Sequence, residues 1–195
     1  MLDRVNNRFY IAEGEYAFIA PSIDKNGIEE IASTGFATCF ALSVTDREKR
    51  LALLAHIDTA SWSQNLIPES IELFKTLGAE SLKIKVANLE NQRKNTEFDS
   101  LILSSAFGFV NKYYQALKAA GFQVKPPKHL LRCLAVLVTP NEGLRIQPRE
   151  LHLAYERPLM ERAKARAGSR MSQALAGNTS LIVNTYRPNL VLPAA

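Results

Sequence analysis

The distribution of apolar and polar residues predicts a β-hairpin in the first third of the chain. The segment Thr38–Thr45 alternates between two faces, and Cys39 lies at its start. The segment Leu51–Ile57 is apolar almost throughout, which is typical of a strand covered on both faces. Because only the polar cluster Asp46–Arg50 separates the two segments, we expect them to pair antiparallel about a turn near Glu48.

Two helices are predicted from apolar residues that recur with a helical period and are followed by a glycine. The first helix spans Asn65–Leu77 and ends at Gly78, and the second spans Leu101–Ala120 and ends at Gly121. Between them, residues 81–86 alternate between apolar residues and lysine. This alternation indicates a strand with one face exposed to water.

After the second helix, the pattern predicts a short strand, a hairpin and a third helix. The short strand covers residues 122–124 and is expected to break at Pro126 and Pro127, because proline cannot donate a backbone hydrogen bond. The hairpin and the third helix are predicted, in chain order, at Arg132–Val138 with Leu144–Gln147 and at Pro158–Leu175, which Pro158 opens.

The N-terminal part completes a prediction of the fold class. Residues Asn7–Ile19 indicate a strand or a hairpin bent at Gly14, and Pro21–Gly27 indicates a turn. The elements together predict an α+β fold with a β-sandwich-like core of mostly antiparallel strands, flanked by helices. We expect one domain over residues 1–155, and a basic helical extension over residues 156–195 that packs on it or trails from it.

Composition narrows the function classes. The chain has 195 residues, 47% of them hydrophobic and 22% charged, so it can form a core without disulfides or metal. Cys39 and Cys133 are therefore expected as free thiols, and with only three histidines they fit no zinc pattern, so no cofactor is expected. The sequence shows neither a signal peptide nor the roughly 18 apolar residues of a membrane span. We expect a cytoplasmic protein without membrane insertion.

The net charge of +5 and the pI near 9.3 raise the question of a nucleic-acid partner. Five basic residues fall close together late in the chain: Arg157, Arg162, Lys164, Arg166 and Arg170. No aromatic residues interleave with these charges, so we favour a solvated helix face over a phosphate-binding surface. Nucleic acid is therefore not an expected partner.

Cys39 and His56 are candidates for a catalytic pair. They lie at similar distances from the predicted turn, so they can meet across neighbouring strands. A thiol hydrolase needs an ionisable cysteine, a base to accept its proton and a group that orients the base. The pair alone favours the structural interpretation, a small buried cysteine and a core histidine, over a catalytic pair.

The residues around this pair resemble a known family. The segments EGEYAFIA and STGFATCFALSVTDREKRLALLAHIDTA are similar to the start of the bacterial chemoreceptor glutamine deamidases (CheD) and to eukaryotic protein N-terminal asparagine amidohydrolases. In those families a cysteine and a histidine lie on successive strands with the separation found between Cys39 and His56. The resemblance covers residues 9–150 by the order of elements and residues 13–60 by motif. It implies a cysteine deamidase fold without a cofactor.

The resemblance also implies roles for individual residues. Cys39 would be the nucleophile and His56 the general base. Ser33 occupies the position of the threonine that orients the histidine, with Thr34 as the alternative. Independently of the resemblance, Thr38 belongs to the group of small residues around the cysteine that leave room for a substrate amide. Asp58 would bind the α-amino group of a substrate or, equally, cap the following helix.

The implied activity is hydrolysis of glutamine or asparagine side-chain amides in a protein or peptide substrate, through a thioester on Cys39. Two alternatives stay open: a binding or regulatory module that keeps the fold without turnover, and hydrolysis of small-molecule amides or thioesters. Outside the pair, Cys133 is predicted to be a core residue, and His129 and His152 are predicted to lie on the surface.

Overall fold

The computed structural model describes residues 1–3, 6–20, 28–36, 39–57, 66–87, 96–130, 133–175 and 188–190, with the backbone alone for 96–105, 166–175 and 188–190. The helices are α1 (Leu66–Thr76), α2 (Thr96–Ala119) and α3 (Leu153–Leu175), and a 3₁₀ turn (Arg149–His152) leads into α3. The strands are β1 (Leu2–Asp3), β2 (Arg8–Tyr10), β3 (Tyr16–Ile19), β4 (Glu30–Thr34), β5 (Phe40–Asp46), β6 (Leu51–Ile57), β7 (Ser81–Ala87), β8 (Gln123–Leu130), β9 (Ala135–Thr139), β10 (Gly143–Gln147) and β11 (Pro188–Leu190).

The described strands form two mixed sheets, which confirms the predicted α+β class. The five-stranded sheet has the order β1-β2-β4-β9-β10, with β2 and β4 parallel and its other pairs antiparallel. The six-stranded sheet has the order β11-β3-β6-β5-β7-β8, in which both outer pairs are parallel. Its three inner pairs are antiparallel.

Three apolar clusters arrange the sheets and helices in layers. One cluster lies between α1, α2 and the six-stranded sheet. A second joins residues of both sheets, including Leu54 and Val136, so the sheets pack face to face. The third, with Tyr10 and Leu159, lies between the five-stranded sheet and α3. The order is therefore helices, sheet, sheet, helix, and buried apolar side chains hold each layer to the next.

The predicted hairpin of β5 and β6 is confirmed, and it lies at the centre of the six-stranded sheet. The two strands pair antiparallel from Phe40 opposite Ile57 to Asp46 opposite Leu51. The Asp46 carboxylate closes the turn by accepting backbone hydrogen bonds from Glu48 and Lys49 at 3.0 and 3.1 Å. Burial alone would raise the pKa of Asp46, but these bonds and two more from the start of β7 leave the pKa lowered.

The N-terminal prediction of a hairpin at residues Asn7–Ile19 is wrong. Strand β2 pairs with β1 and β4 in the five-stranded sheet, whereas β3 pairs with β6 in the six-stranded sheet. The intervening segment, Ile11–Glu15, therefore crosses from one sheet to the other, with Gly14 at φ 74°. The turn predicted at Pro21–Gly27 lies outside the described residues.

The C-terminal predictions need two corrections. Strand β8 continues through Pro126 and Pro127 to Leu130, because it is an outer strand whose register with β7 shifts at that point, and edge positions tolerate proline. Helix α3 begins at Leu153 rather than at Pro158, since the 3₁₀ turn before it already starts the helical path. Among the described residues, no helix is both long and apolar enough to cross a membrane.

Candidate active site

The central hairpin places Cys39 and His56 on the same face of the six-stranded sheet. His56 lies directly opposite Ala41, and Cys39 is two residues before Ala41, immediately before the start of β5. Side chains two residues apart on a strand share a face, so Cys39 is a diagonal neighbour of His56, within about 7–8 Å between Cα atoms. This face packs against the five-stranded sheet, and both side chains are buried there, with 4% and 1% of their surface exposed.

The Ser33 hydroxyl fixes the tautomer of His56. Ser33 lies on β4 in the opposite sheet, and its Oγ is 2.8 Å from His56 Nδ1. The same hydroxyl donates its one hydrogen to the backbone oxygen of Ile11 at 2.9 Å, so it accepts the hydrogen of His56 Nδ1. Nε2 is then the basic nitrogen of the ring, as a general base for a neighbouring thiol requires.

The ring of Phe36 holds His56 from a second side. The two rings are stacked with centroids 3.9 Å apart and an interplanar angle of 24°. Phe36 reaches this position because the chain bends after β4 at Gly35, whose φ of 84° lies in the region that favours glycine. Burial among these groups lowers the pKa of His56 from 6.5 to about 3, so the imidazole is neutral at neutral pH.

The segment Ile11–Glu15, which crosses between the sheets, holds the site from both ends. The oxygen of Ile11 accepts the Ser33 hydroxyl, as described above. At the other end, His56 N donates to Glu15 O, and Gly14 N donates to His56 O, each at 2.9 Å. One short segment therefore sets the backbone position of His56 and the direction of the hydroxyl that binds its ring.

An ion pair between a buried carboxylate and an arginine of α3 fixes this segment. The Glu15 side chain is 3% exposed, and its Oε2 accepts a hydrogen bond from Ala12 N at 2.8 Å. The same oxygen forms a salt bridge with Arg162 of α3, which also donates to Tyr10 O at 3.1 Å. Because an unpaired carboxylate is costly to bury, Arg162 compensates the charge that Glu15 brings into the core.

The predicted site residues differ in where they lie. Ser33 contacts His56, but Thr34 faces the other side of β4, where its Oγ1 is 2.9 Å from Glu156 Oε1 and 3.1 Å from Leu134 O. Thr34 is therefore placed against α3 rather than beside the histidine. Thr38 and Asp58 lie outside the described residues.

For the remaining cysteine and the two remaining histidines, the structure confirms two of the three predictions about burial. Cys133 is buried as predicted, and burial raises its pKa to about 12. His129 is exposed, as predicted. The prediction that His152 lies on the surface is wrong: it is fully buried beneath α3, with Nδ1 2.8 Å from the Tyr10 hydroxyl.

The solvated helix face predicted for the late basic residues also needs correction at one position. Arg157 is 86% exposed and Lys164 is exposed, in agreement with the prediction. Arg162 instead turns toward the sheet and pairs with Glu15, which a local charge pattern does not reveal. The side chains of Arg166 and Arg170 lie outside the described residues.

Sequence reasoning also missed the supporting residues Phe36, Glu15 and Arg162. Glu15 lies within the EGEY segment that supported the family resemblance, but its ion-pair partner, Arg162, lies 147 residues away in the sequence. Among the residues that the structure describes, no three His, Cys, Asp or Glu side chains form a group that could hold a metal ion.

No protein-family model and no curated protein matches this chain.

Proposed function

We propose that the protein is a cysteine-dependent hydrolase of glutamine or asparagine side-chain amides in protein substrates. The observation that carries the proposal is the placement of an oriented His56 on the face of the six-stranded sheet that carries Cys39. The Ser33 hydroxyl, whose own hydrogen is donated to Ile11 O, orients the ring through its hydrogen bond with His56 Nδ1. This bond leaves Nε2 as the basic nitrogen on the face that also carries Cys39. The resemblance to the deamidases supplies the substrate class.

The first step of the reaction uses the neutral form of His56. Nε2 accepts the proton of the Cys39 thiol, and the thiolate adds to the carboxamide carbon to give a tetrahedral oxyanion. The low pKa of the buried imidazole opposes proton transfer in the resting site. The negative thiolate formed at Cys39 counteracts this effect, because an adjacent opposite charge favours the imidazolium.

The second half of the reaction returns the proton. The imidazolium protonates the departing nitrogen, ammonia leaves, and Cys39 holds the acyl group as a thioester. His56 then takes a proton from the water molecule that attacks the thioester carbon. The imidazolium returns this proton to the departing thiolate of Cys39, and the product acid loses its own proton to solvent to become a carboxylate. Ser33 keeps the ring in one orientation throughout, because its bond to Nδ1 is the same in the neutral and the charged form of the histidine.

The direct test is mass spectrometry of peptides with internal Gln, internal Asn, N-terminal Gln or N-terminal Asn. At least one class should gain about one dalton with release of ammonia, since an amide becomes an acid. Free glutamine and asparagine, included in parallel, test the small-molecule alternative. Cys39→Ala should remove the activity, and Cys133→Ala, which changes the other buried thiol, should retain it.

Two results would contradict the proposal. One is that no protein or peptide amide is hydrolysed by a protein that is folded by circular dichroism. The other is that Cys39→Ala is as active as the wild type. The first result, together with binding of an intact peptide, would favour the binding module over the hydrolase.

A further inference from the structure

A cluster of lysines lies on β7 and β8, away from the candidate active site. We name this cluster the basic ledge and define it as four residues: Lys83, Lys85, Lys125 and Lys128. In the pairing of β7 with β8, Lys83 lies opposite Lys125 and Lys85 lies opposite Lys128. Three of the four side chains are exposed, and Lys85 is partly buried.

The ledge occupies the face of β7 and β8 turned away from the helices. The alternate residues Leu82, Ile84 and Val86 pack against α1 and α2, so Lys83 and Lys85 point to the side of the five-stranded sheet. The outermost strand of that sheet, β10, reaches as far as Lys85, whose Nζ donates to Glu142 O and Leu144 O at 3.0 and 3.1 Å. Strand β8 lies further out than β10 reaches, so the lysines that β8 contributes to the basic ledge are exposed.

The ledge is not neutralised within the described part of the chain. No described acidic side chain forms an ion pair with Lys83, Lys125 or Lys128. The Glu142 carboxylate, whose charge acts on Lys85, forms its ion pair with Arg145. The pKa of Lys85 is lowered, first by burial and then by the charges of Lys128 and Lys83. Like charges directly opposite one another destabilise a sheet, so the arrangement opposes folding and favours an anionic partner.

Two features limit the kind of partner. Strands β7 and β8 contain no Phe, Tyr or Trp, the side chains on which nucleic-acid bases stack. Pro126 and Pro127 lack backbone N–H groups, so a partner strand cannot extend the sheet regularly along the outer edge of β8. The ledge therefore fits a partner that presents carboxylates to lysine side chains on a sheet face.

The position of the ledge relates it to Cys39. The row Ser43, Lys85, Lys128 crosses the same face of the sheet on which Cys39 lies, four residues along β5 from Ser43. From Cys39 to Lys128 the path is about 13 Å along β5 and about 10 Å across two strand spacings. An extended peptide needs at least about five residues for this separation, because the five-stranded sheet covers the face between the two positions and the direct path is the shortest one.

We propose that the basic ledge binds an acidic segment of the protein substrate, at least about five residues from the amide that is hydrolysed. The proposal rests on the proposed function for the identity of the partner as substrate, but the binding itself can be measured without turnover. It adds a specificity determinant outside the Cys39 site, in which carboxylates of the substrate meet the lysine ammonium groups.

The test uses the full-length Cys39→Ala protein and a fluorescent peptide of six glutamates, followed by anisotropy. Lys125→Gln/Lys128→Gln should weaken binding at least tenfold, and raising the salt concentration should weaken wild-type binding as well. The matched control, Lys75→Gln/Lys118→Gln, removes the same charge from the last turns of α1 and α2 and should change the affinity less than twofold. The ledge variant should melt at the same or a higher temperature than the wild type.

If both double variants weaken the binding of the glutamate peptide equally, the proposed role of the ledge is contradicted, because net charge alone would then explain the binding. Tighter binding of a single-stranded RNA of the same charge would also overturn it in favour of nucleic acid. The active enzyme separates this proposal from the proposed function: the ledge variant should raise the KM for an acidic substrate peptide and leave kcat unchanged. If the protein binds the glutamate peptide but deamidates nothing, the proposed function is contradicted and the binding role of the ledge is supported. If the ledge variant deamidates the acidic peptide with an unchanged KM, the proposed function is supported and the binding role of the ledge is contradicted.

Discussion

Two buried histidines of this protein have the same local geometry and different surroundings. His56 and His152 are each almost fully buried, and each has a hydroxyl oxygen 2.8 Å from Nδ1, from Ser33 and from Tyr10 respectively. His56 lies between the two sheets, on the face that carries Cys39. His152 lies between the five-stranded sheet and α3, where the Tyr10 ring also stacks on Tyr155 with centroids 3.9 Å apart.

The difference teaches that an oriented histidine is not by itself a catalytic site. At His152, the tyrosine hydroxyl and the stacked Tyr155 ring attach the start of α3 to the sheet, which is a structural role. At His56, the same type of bond orients the ring on the face that carries Cys39, so under the proposed function the basic nitrogen accepts the proton of the thiol. The thiol on the same face separates the two roles, and each prediction below tests that distinction.

The largest expected effect comes from replacing each of the two histidines separately with glutamine. His56→Gln should lower kcat for amide hydrolysis at least about 100-fold, because the general base is lost. His152→Gln should keep kcat within about threefold once measured below its melting temperature, although it loses the bond to Tyr10 and about 1–3 kcal/mol of stability. Steady-state kinetics with thermal melts of both variants checks this. Similar losses of kcat would remove the distinction.

The next effect concerns the ion pair that links α3 to the site. Arg162→Ala should lower the free energy of unfolding by about 1–3 kcal/mol, because the buried Glu15 carboxylate loses its partner. The control is Arg157→Ala, which removes an 86% exposed arginine from the same helix. This substitution should change the free energy of unfolding by less than about 0.5 kcal/mol. Urea unfolding measures both. Equal effects would show that Arg162 contributes no more than a surface charge.

A smaller effect separates the two hydroxyls of β4. Ser33→Ala should lower kcat about tenfold with KM unchanged, because the His56 ring loses the bond that orients it. Thr34→Val removes the hydroxyl on the opposite side of the strand and should change kcat less than about twofold. Ser33→Thr, which retains a hydroxyl, should recover most of the activity. A greater loss in Thr34→Val than in Ser33→Ala would reassign the orienting residue.

The smallest effect is a dependence of stability on pH that both histidines share. Burial lowers the pKa of His56 to about 3 and also lowers that of His152, so the unfolded chain binds protons that the folded chain does not. Stability therefore rises with pH below the unfolded value of 6.5, by at most about 1.4 kcal/mol per pH unit for each histidine.

Urea unfolding between roughly pH 5 and pH 6 measures this contribution with the least interference from other groups. The lowered pKa values of Asp46 and Glu156 place their losses of stability below the ordinary values of 3.8 and 4.5. The Met1 amino group, whose pKa is lowered from 8.0 to about 6, contributes mainly above this range. Either histidine replaced by glutamine should flatten the slope, although only His56→Gln also removes activity. An unchanged slope in both variants would show that neither histidine is held neutral by the fold.

The parts of the fold that follow from local sequence were predictable. The alternation about Cys39 and the apolar strand ending near His56 gave the central hairpin, and glycines after α1 and α2 marked the helix ends. Strand β4 was not predicted, since it depends on pairing with β9, where Thr34 lies opposite Ala135 about a hundred residues later. Pairing over such a distance leaves no local period in the sequence.

The same reason explains which site residues were missed. Arg162 and His152 look like surface residues in their own segments. Arg162 is partly buried and His152 fully buried only because Glu15 and Tyr10 lie beneath this part of the chain. Ser33 was predicted through the family resemblance and the structure places it against His56, whereas Thr34 shares its strand and faces away. Alternation along β4 separates the two hydroxyls, and that strand was absent from the prediction.

The most direct test of the central claim is the detection of an acyl group on Cys39. A peptide that is hydrolysed, mixed with the protein and quenched in acid, should leave a fraction of the protein heavier by the mass of the peptide less one ammonia. Fragmentation should place the added mass on Cys39, and the adduct should accumulate in His56→Gln if deacylation slows more than acylation. Turnover with no adduct on Cys39, or with the adduct on Cys133, would contradict the account.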